Sequence, residues 1–211
     1  MNNILSLKAV LFDLDGTIIN PKQGIINSIL FAVEKTGLQE QKPEELNSFI
    51  GPPLHQSFQK RYGVSESEAF EMVRQFRVYY AEKGIRECYV YDGIEELVKK
   101  LHSHQIFLSL ATSKPIGFAN QLLEYFKLDK YFSFTAGALM DGKRTDKKEV
   151  IQFALDHIPT FEKQEILMIG DREFDIEGGQ FHGLKTAWAQ WGFGSDEEIL
   201  PLSPDFVFSK P

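Results

Sequence analysis

At 211 residues the chain has room for one large domain, or for a core with a modest insertion. Its 43% hydrophobic and 25% charged residues are globular proportions, and 18 Phe, 7 Tyr and 2 Trp supply the bulk of a core. A formal net charge of −7 argues against a nucleic-acid polymer as partner, and an anionic ligand would need local cations to approach. No apolar run nears the ~20 residues of a membrane span. The opening Met1-Asn2-Asn3-Ile4 lacks the basic-then-apolar order of a secretory leader. The one cysteine, Cys88, has no partner for an intramolecular disulfide, so a reducing, cytoplasmic setting is expected.

Lys8 to Leu14 is a short apolar run ending in acids and Gly16-Thr17, the pattern of a buried strand entering a loop. From about Ile18 to Lys83 the patterns are helical: Gly24 to Lys35, Pro43 to Phe49, Leu54 to Tyr62 and Ser65 to Glu82. Strand and helix patterns then alternate. Helices are expected over Gly93 to His104, Pro115 to Phe126, Lys147 to His157 and Phe174 to Phe181. The strands between and after them are Ile106 to Ala111, Tyr131 to Thr135, Ile166 to Ile169, Leu184 to Ala189 and Phe206 to Phe208. Such alternation predicts an α/β fold, a parallel sheet covered by helices on both faces. About 65 helical residues interrupt it after the first strand. The expected organisation is a core of 1–17 and 84–211 with a helical cap domain of 18–83.

Asp13-Leu14-Asp15-Gly16-Thr17 follows the first strand, and residues i and i+2 of an extended chain point to one side. Strand ends in open parallel sheets are where ligands bind. A plain polar turn would use the same residue types. An EF-hand loop is excluded, because its glycine and glutamate positions hold Ile18 and Gly24. Gly170-Asp171-Arg172-Glu173-Phe174-Asp175 follows another apolar strand, and Asp171 and Asp175 share a face if a helix begins near Arg172. Converging carboxylates repel in a low-dielectric cleft. A hard divalent cation resolves that, and oxygen-only ligands point to Mg2+; no His or Cys set has zinc spacing.

Thr112-Ser113-Lys114-Pro115 passes from a strand into a helix. It offers a hydroxyl and helix N-terminal amides to an anion, or it is simply a helix cap. A cation is expected from the run Asp141 to Lys148, with Lys147 preferred over Lys143 and Lys148. Gly192-Phe193-Gly194-Ser195 lacks the third glycine of a nucleotide loop and reads as a turn.

In this order the four segments resemble the haloacid dehalogenase-like hydrolase superfamily, whose pattern is D-x-D-G-T, then Ser/Thr, then Lys, then G-D-x-x-x-D. The match spans nearly the whole chain and is specific in combination. The helical insertion is similar to the all-helical cap of the phosphoglycolate phosphatase and 5′-nucleotidase-like branch, as are Ile50-Gly51-Pro52-Pro53-Leu54 and Gly142-x-Arg144-x-x-Lys147. The resemblance implies a Rossmann-like doubly wound core and a Mg2+-dependent phosphatase acting on a small phosphorylated metabolite, such as phosphoglycolate or a nucleoside monophosphate. It assigns nucleophilic attack to Asp13 and acid–base work to Asp15. Asp13, Asp15 (through its carbonyl), Asp171 and Asp175 would hold the metal, and Gly16, Thr112, Ser113 and Lys147 the phosphoryl group. Gly51, Pro52 and His55 of the cap would select the substrate. Asp15 speaks against dehalogenation, since a departing halide needs no proton. A phosphosugar mutase and a non-catalytic phospho-ligand-binding regulator are the alternatives; a receiver domain is excluded by its shorter length and lack of a cap.

Overall fold

The computed structural model describes residues 7–40 and 42–211. In chain order the strands are β1 (Ala9–Phe12), β2 (Ile19–Asn20), β3 (Tyr89–Val90), β4 (Phe107–Pro115), β5 (Phe134–Ala138), β6 (Ile166–Gly170), β7 (Lys185–Ala189) and β8 (Phe206–Phe208). The α-helices are α1 (Lys22–Lys35), α2 (Leu54–Tyr62), α3 (Glu66–Glu82), α4 (Ile94–Ser103), α5 (Ile116–Tyr125), α6 (Lys147–Leu155), α7 (Glu173–Phe181) and α8 (Asp196–Ile199). Two compact units result: Met1–Asn20 with Val90–Pro211, and Pro21–Tyr89. These boundaries lie three and six residues beyond the expected ones.

The first unit is built on a six-stranded parallel sheet in the order β5-β4-β1-β6-β7-β8. Its central strands β1 and β6 are buried on both faces, which is why β1 reads as a continuous apolar run rather than an alternating one. Leu11, Ala111 and Met168 pack with Val150 and Ile151 of α6 in one core cluster, while Trp188, Ile176 and Ile199 form another. The register sets Phe12 level with Leu110 and with Ile169, so the chain leaves β1 and β6 at nearly one height while β4 continues past them to Pro115. Strand order reverses about β1, and that is where open α/β sheets form their binding crevice.

Several elements differ from the sequence expectation. Strand β5 begins three residues later than Tyr131, because Asp129–Tyr131 forms a 3₁₀ turn. Strand β4 runs four residues past Ala111 through a register irregularity between Thr112 and Pro115. Pro115 disfavours helical geometry at Lys114, so α5 starts only at Ile116 and has no side-chain cap. Thr112 and Ser113 are therefore not helix caps. β2 and β3, each two residues long, pair as a small separate sheet that the periodicity did not announce.

In the second unit α1 and α3 pack together, and Pro43–Phe49 forms a 3₁₀ helix where an α-helix was expected. Ser65 caps α3 through a reciprocal capping box with Glu68. Arg61 donates to Glu40 at 2.7 Å and to Glu45 at 2.6 Å, and Tyr62 donates to Glu40 at 2.5 Å. His55 stacks on Phe70, with ring centroids 5.1 Å apart.

Candidate active site

Four segments of the first unit meet at the C-terminal ends of β1, β4 and β6. Asp13 follows β1 directly, its amide donating to the Ile169 carbonyl at 2.9 Å, so it is fixed as one more residue of the sheet. One carboxylate oxygen, Oδ1, accepts from Lys147 Nζ at 2.7 Å. The other, Oδ2, receives no hydrogen bond among the described residues.

Lys147 is the first residue of α6, and Asp146 caps that helix by accepting from the Lys148 amide at 2.7 Å. This capped start aims Lys147 inward, where Nζ also donates to the Ala111 carbonyl at 3.0 Å and lies 2.7 Å from Asp175 Oδ1. Burial works against its charge, yet the carboxylates of Asp13 and Asp175 outweigh it and raise its pKa. Lys143 is exposed beside Asp141, and Lys148 lies over the Phe181 ring. Among the three basic candidates, Lys147 alone reaches Asp13.

Asp171 and Asp175 follow β6 and open α7. Asp175 closes that helix end by accepting from the Arg172 amide at 3.1 Å. Carboxylate oxygens of Asp13, Asp171 and Asp175 lie within 4.8 Å of one another, all buried. Burial first, then Asp175 and Asp13, push the Asp171 pKa well up; burial likewise raises Asp175 against the pull of Lys147. Asp171 Oδ2 accepts from the Phe193 amide at 2.7 Å, but Oδ1 is buried with no hydrogen-bond partner among the described residues. A buried carboxylate oxygen left orphaned, facing two more carboxylates, is costly without a cation. Hard oxygen donors of this kind fit Mg2+.

Asp15 is placed differently. Its carboxylate does not join that cluster: Lys114 Nζ donates to both of its oxygens, at 3.1 and 2.8 Å. Four acids therefore meet two ammonium groups, Lys147, which the sequence offered, and Lys114. Burial raises the Asp15 pKa, and Lys114 opposes it. Lys114 was not singled out from the sequence, since 99 residues separate it from Asp15. Thr112 is buried, and its hydroxyl accepts from the Lys114 amide at 3.2 Å. Ser113, beside it, is half-buried. Gly16 does not offer its amide to an anion, because that N–H donates to the Ile19 carbonyl at 2.8 Å. Its role is spatial: at φ +89 it turns the chain, and a Cβ there would lie 2.1 Å from Asp171 Oδ2. Gly51, Pro52 and His55 belong to the other unit, in and after the turn that leads into α2.

Residues 10–189 match the family model for haloacid dehalogenase-like hydrolase. A 5′-nucleotidase from Pseudomonas aeruginosa is 39% identical over 195 residues, 92% of this chain and 88% of that protein. The tyrosine-protein kinase PtkA of Mycobacterium tuberculosis is 32% identical over 202 residues, 96% of this chain and 68% of that protein. The solved structure of a predicted phosphatase from Clostridium acetobutylicum superposes with a TM-score of 0.89 at 38% identity, covering 96% of this chain and 94% of that one. With its acids, threonine and lysine gathered at the C-terminal ends of the central strands, the chain belongs to the haloacid dehalogenase-like hydrolases and is a phosphoric monoester hydrolase of that family.

Proposed function

We propose that the protein hydrolyses a small phosphorylated metabolite, such as a nucleoside monophosphate or phosphoglycolate, through a phosphorylated Asp13. The observation that carries this reading is the Asp13 carboxylate: one oxygen is held by Lys147 and the other is open at the strand end. Attack by Asp13 on phosphorus forms an acyl phosphate and releases the alcohol, which needs a proton. Asp15 supplies that proton and then takes one from the water that cleaves the acyl phosphate. Lys147 is buried against Asp13 and stays cationic, so it steadies negative charge on the transferring group without needing to move. Thr112, buried at the end of β4, orients a phosphoryl oxygen.

Asp13, Asp171 and the Asp15 carbonyl would hold Mg2+, with Asp175 in support. When bound, Mg2+ would neutralise the carboxylates and polarise the phosphoryl oxygens. Substrate choice is assigned to the helical unit, through Gly51, Pro52 and His55. The core residues named above deal with the phosphoryl group and metal alone, and cannot tell one alcohol from another.

The test is phosphate release across nucleoside monophosphates, sugar phosphates and phosphoglycolate, with and without Mg2+. Hydrolysis of one class, dependent on Mg2+ and accompanied by conversion of Asp13 to homoserine when the phosphorylated enzyme is reduced with borohydride, is expected. Transfer of the phosphoryl group to a second sugar hydroxyl without phosphate release would favour the mutase reading. Binding without turnover would favour the regulator.

A further inference from the structure

The segment that reads as a simple turn after β7 touches the site at three points. The Trp191 indole N–H donates to the Thr17 carbonyl at 3.0 Å. The Phe193 amide donates to Asp171 Oδ2 at 2.7 Å. Glu198 Oε1 accepts from Arg172 Nε at 2.7 Å and from the Glu173 amide at 2.9 Å. These contacts fall on the loop after Asp15, on Asp171 itself, and on the two residues that follow it.

The glycines between these contacts permit the approach. A Cβ on Gly192 would lie 2.3 Å from Asp171 Cβ, and one on Gly194 would lie 2.0 Å from the Asp171 carbonyl oxygen. Neither glycine has a positive φ, so it is space rather than backbone conformation that excludes a side chain here. Gly16 approaches the same carboxylate as closely, since a Cβ there would lie 2.1 Å from Asp171 Oδ2. Asp171 is thus enclosed by two Cα atoms, one oxygen tied to an amide and the other left bare. A carboxylate enclosed in this way has little freedom to rotate, and its bare oxygen keeps one direction.

We propose that residues 191–198 are a positioning strap that sets the affinity of the site for its divalent cation by holding Asp171 in one rotamer. The proposal rests on the reading that Asp171 is a metal ligand. Groups that orient a ligand without touching the metal are where such affinity is tuned. Trp191, bonded to the loop that carries Asp15, also makes the strap an optical reporter of the site.

The experiment compares the unaltered protein with Gly192→Ala, Gly194→Ala and Trp191→Phe. Mg2+ binding is measured by titration calorimetry and by tryptophan fluorescence, metal-free Tm by scanning calorimetry, and kcat and KM for an aryl phosphate across Mg2+ concentrations. Gly192→Ala is expected to weaken the Mg2+ Kd by roughly 10–100-fold. High Mg2+ should recover its kcat, and KM for the ester should stay unchanged. Trp191→Phe keeps an aromatic side chain but removes the pyrrole part of the indole with its N–H, so it tests the strap even if an alanine variant fails to fold; its Mg2+ Kd, read by calorimetry, should weaken several-fold. A lowered Tm with an unchanged Mg2+ Kd in every folded variant would overturn the strap and leave the metal reading standing. Absence of Mg2+ binding in the unaltered protein would overturn both.

Discussion

Lys114 Nζ bonds both carboxylate oxygens of Asp15, at 2.8 and 3.1 Å, so the acid–base group of the proposed reaction is held by a cation of its own. Burial raises the Asp15 pKa and Lys114 pulls it down. Lys114→Met removes the opposing influence, and Asp15 then keeps its proton to higher pH. Hydrolysis of the acyl phosphate needs Asp15 ionised. The acidic limb of the kcat–pH profile for an aryl phosphate is therefore expected to move to higher pH. An unmoved limb would show that Asp15 is not the group that titrates.

Asp13→Asn keeps the shape of the side chain and removes the nucleophile and the charge that faces Lys147. Phosphate release should fall by ~10³-fold or more. Circular dichroism and Tm distinguish this from unfolding. Near-normal turnover in a folded variant would end the acyl-phosphate reading.

The buried acids make a linked prediction about metal and pH. Asp171 and Asp175 have pKa values raised above those of an unfolded chain, so the folded protein holds extra protons at weakly acidic pH. Metal-free stability should then fall as pH rises out of the carboxylate range and through the folded pKa values. Mg2+ should offset this loss, with a larger Tm increase at pH 7.5 than at pH 5.5 and with proton release on binding at weakly acidic pH. Asp171→Asn removes one buried charge. It should raise the metal-free Tm by about 2–4 °C and abolish the Mg2+ shift.

Glu40 tests the opposite sign in the helical unit. Arg61, then the Tyr62 hydroxyl and the Lys42 amide, hold its carboxylate at a pKa of about 2 against the pull of burial. Its stabilising contribution is complete above pH 4.5 and is lost as pH falls from there toward 2. Glu40→Gln should flatten the stability profile of that unit below pH 4.5 and change little at neutral pH beyond the cost of the lost ion pair. A profile as steep as that of the unaltered protein would place the acid sensitivity elsewhere.

His55 stacks on Phe70 within the helical unit. If it also reads the leaving group, His55→Ala should reorder kcat/KM among natural esters while leaving an aryl phosphate nearly untouched, since an aryl leaving group needs little recognition. An equal fall for every ester would assign His55 to packing alone.

Local chemistry was enough to read much of this protein from its residues. Strands buried on both faces are short apolar runs, and β1 and β6 emerge from that rule within a few residues; β8, largely exposed, is legible instead from its aromatic and β-branched residues. The helices α2 and α3 follow from 3.6-residue spacing and, at Ser65, from the cap that starts α3. Asp13 and Asp171 were legible because each sits just beyond the C-terminal end of a central strand, and Asp175 because it lies four residues on, in the first turn of α7. The β5 boundary was not, because aromatic Tyr131 and Phe132 resemble strand residues while Ala136-Gly137-Ala138 carry little side-chain signal. Only the tertiary structure decided which lysine meets which acid. Lys147 reaches Asp13 across 134 positions and Lys114 reaches Asp15 across 99, distances at which a charge pattern carries no pairing information. The strap was hidden for the same reason. Gly192 and Gly194 look like turn residues until a carboxylate from another strand end is packed against them, and close approach between distant segments is a property of the folded chain.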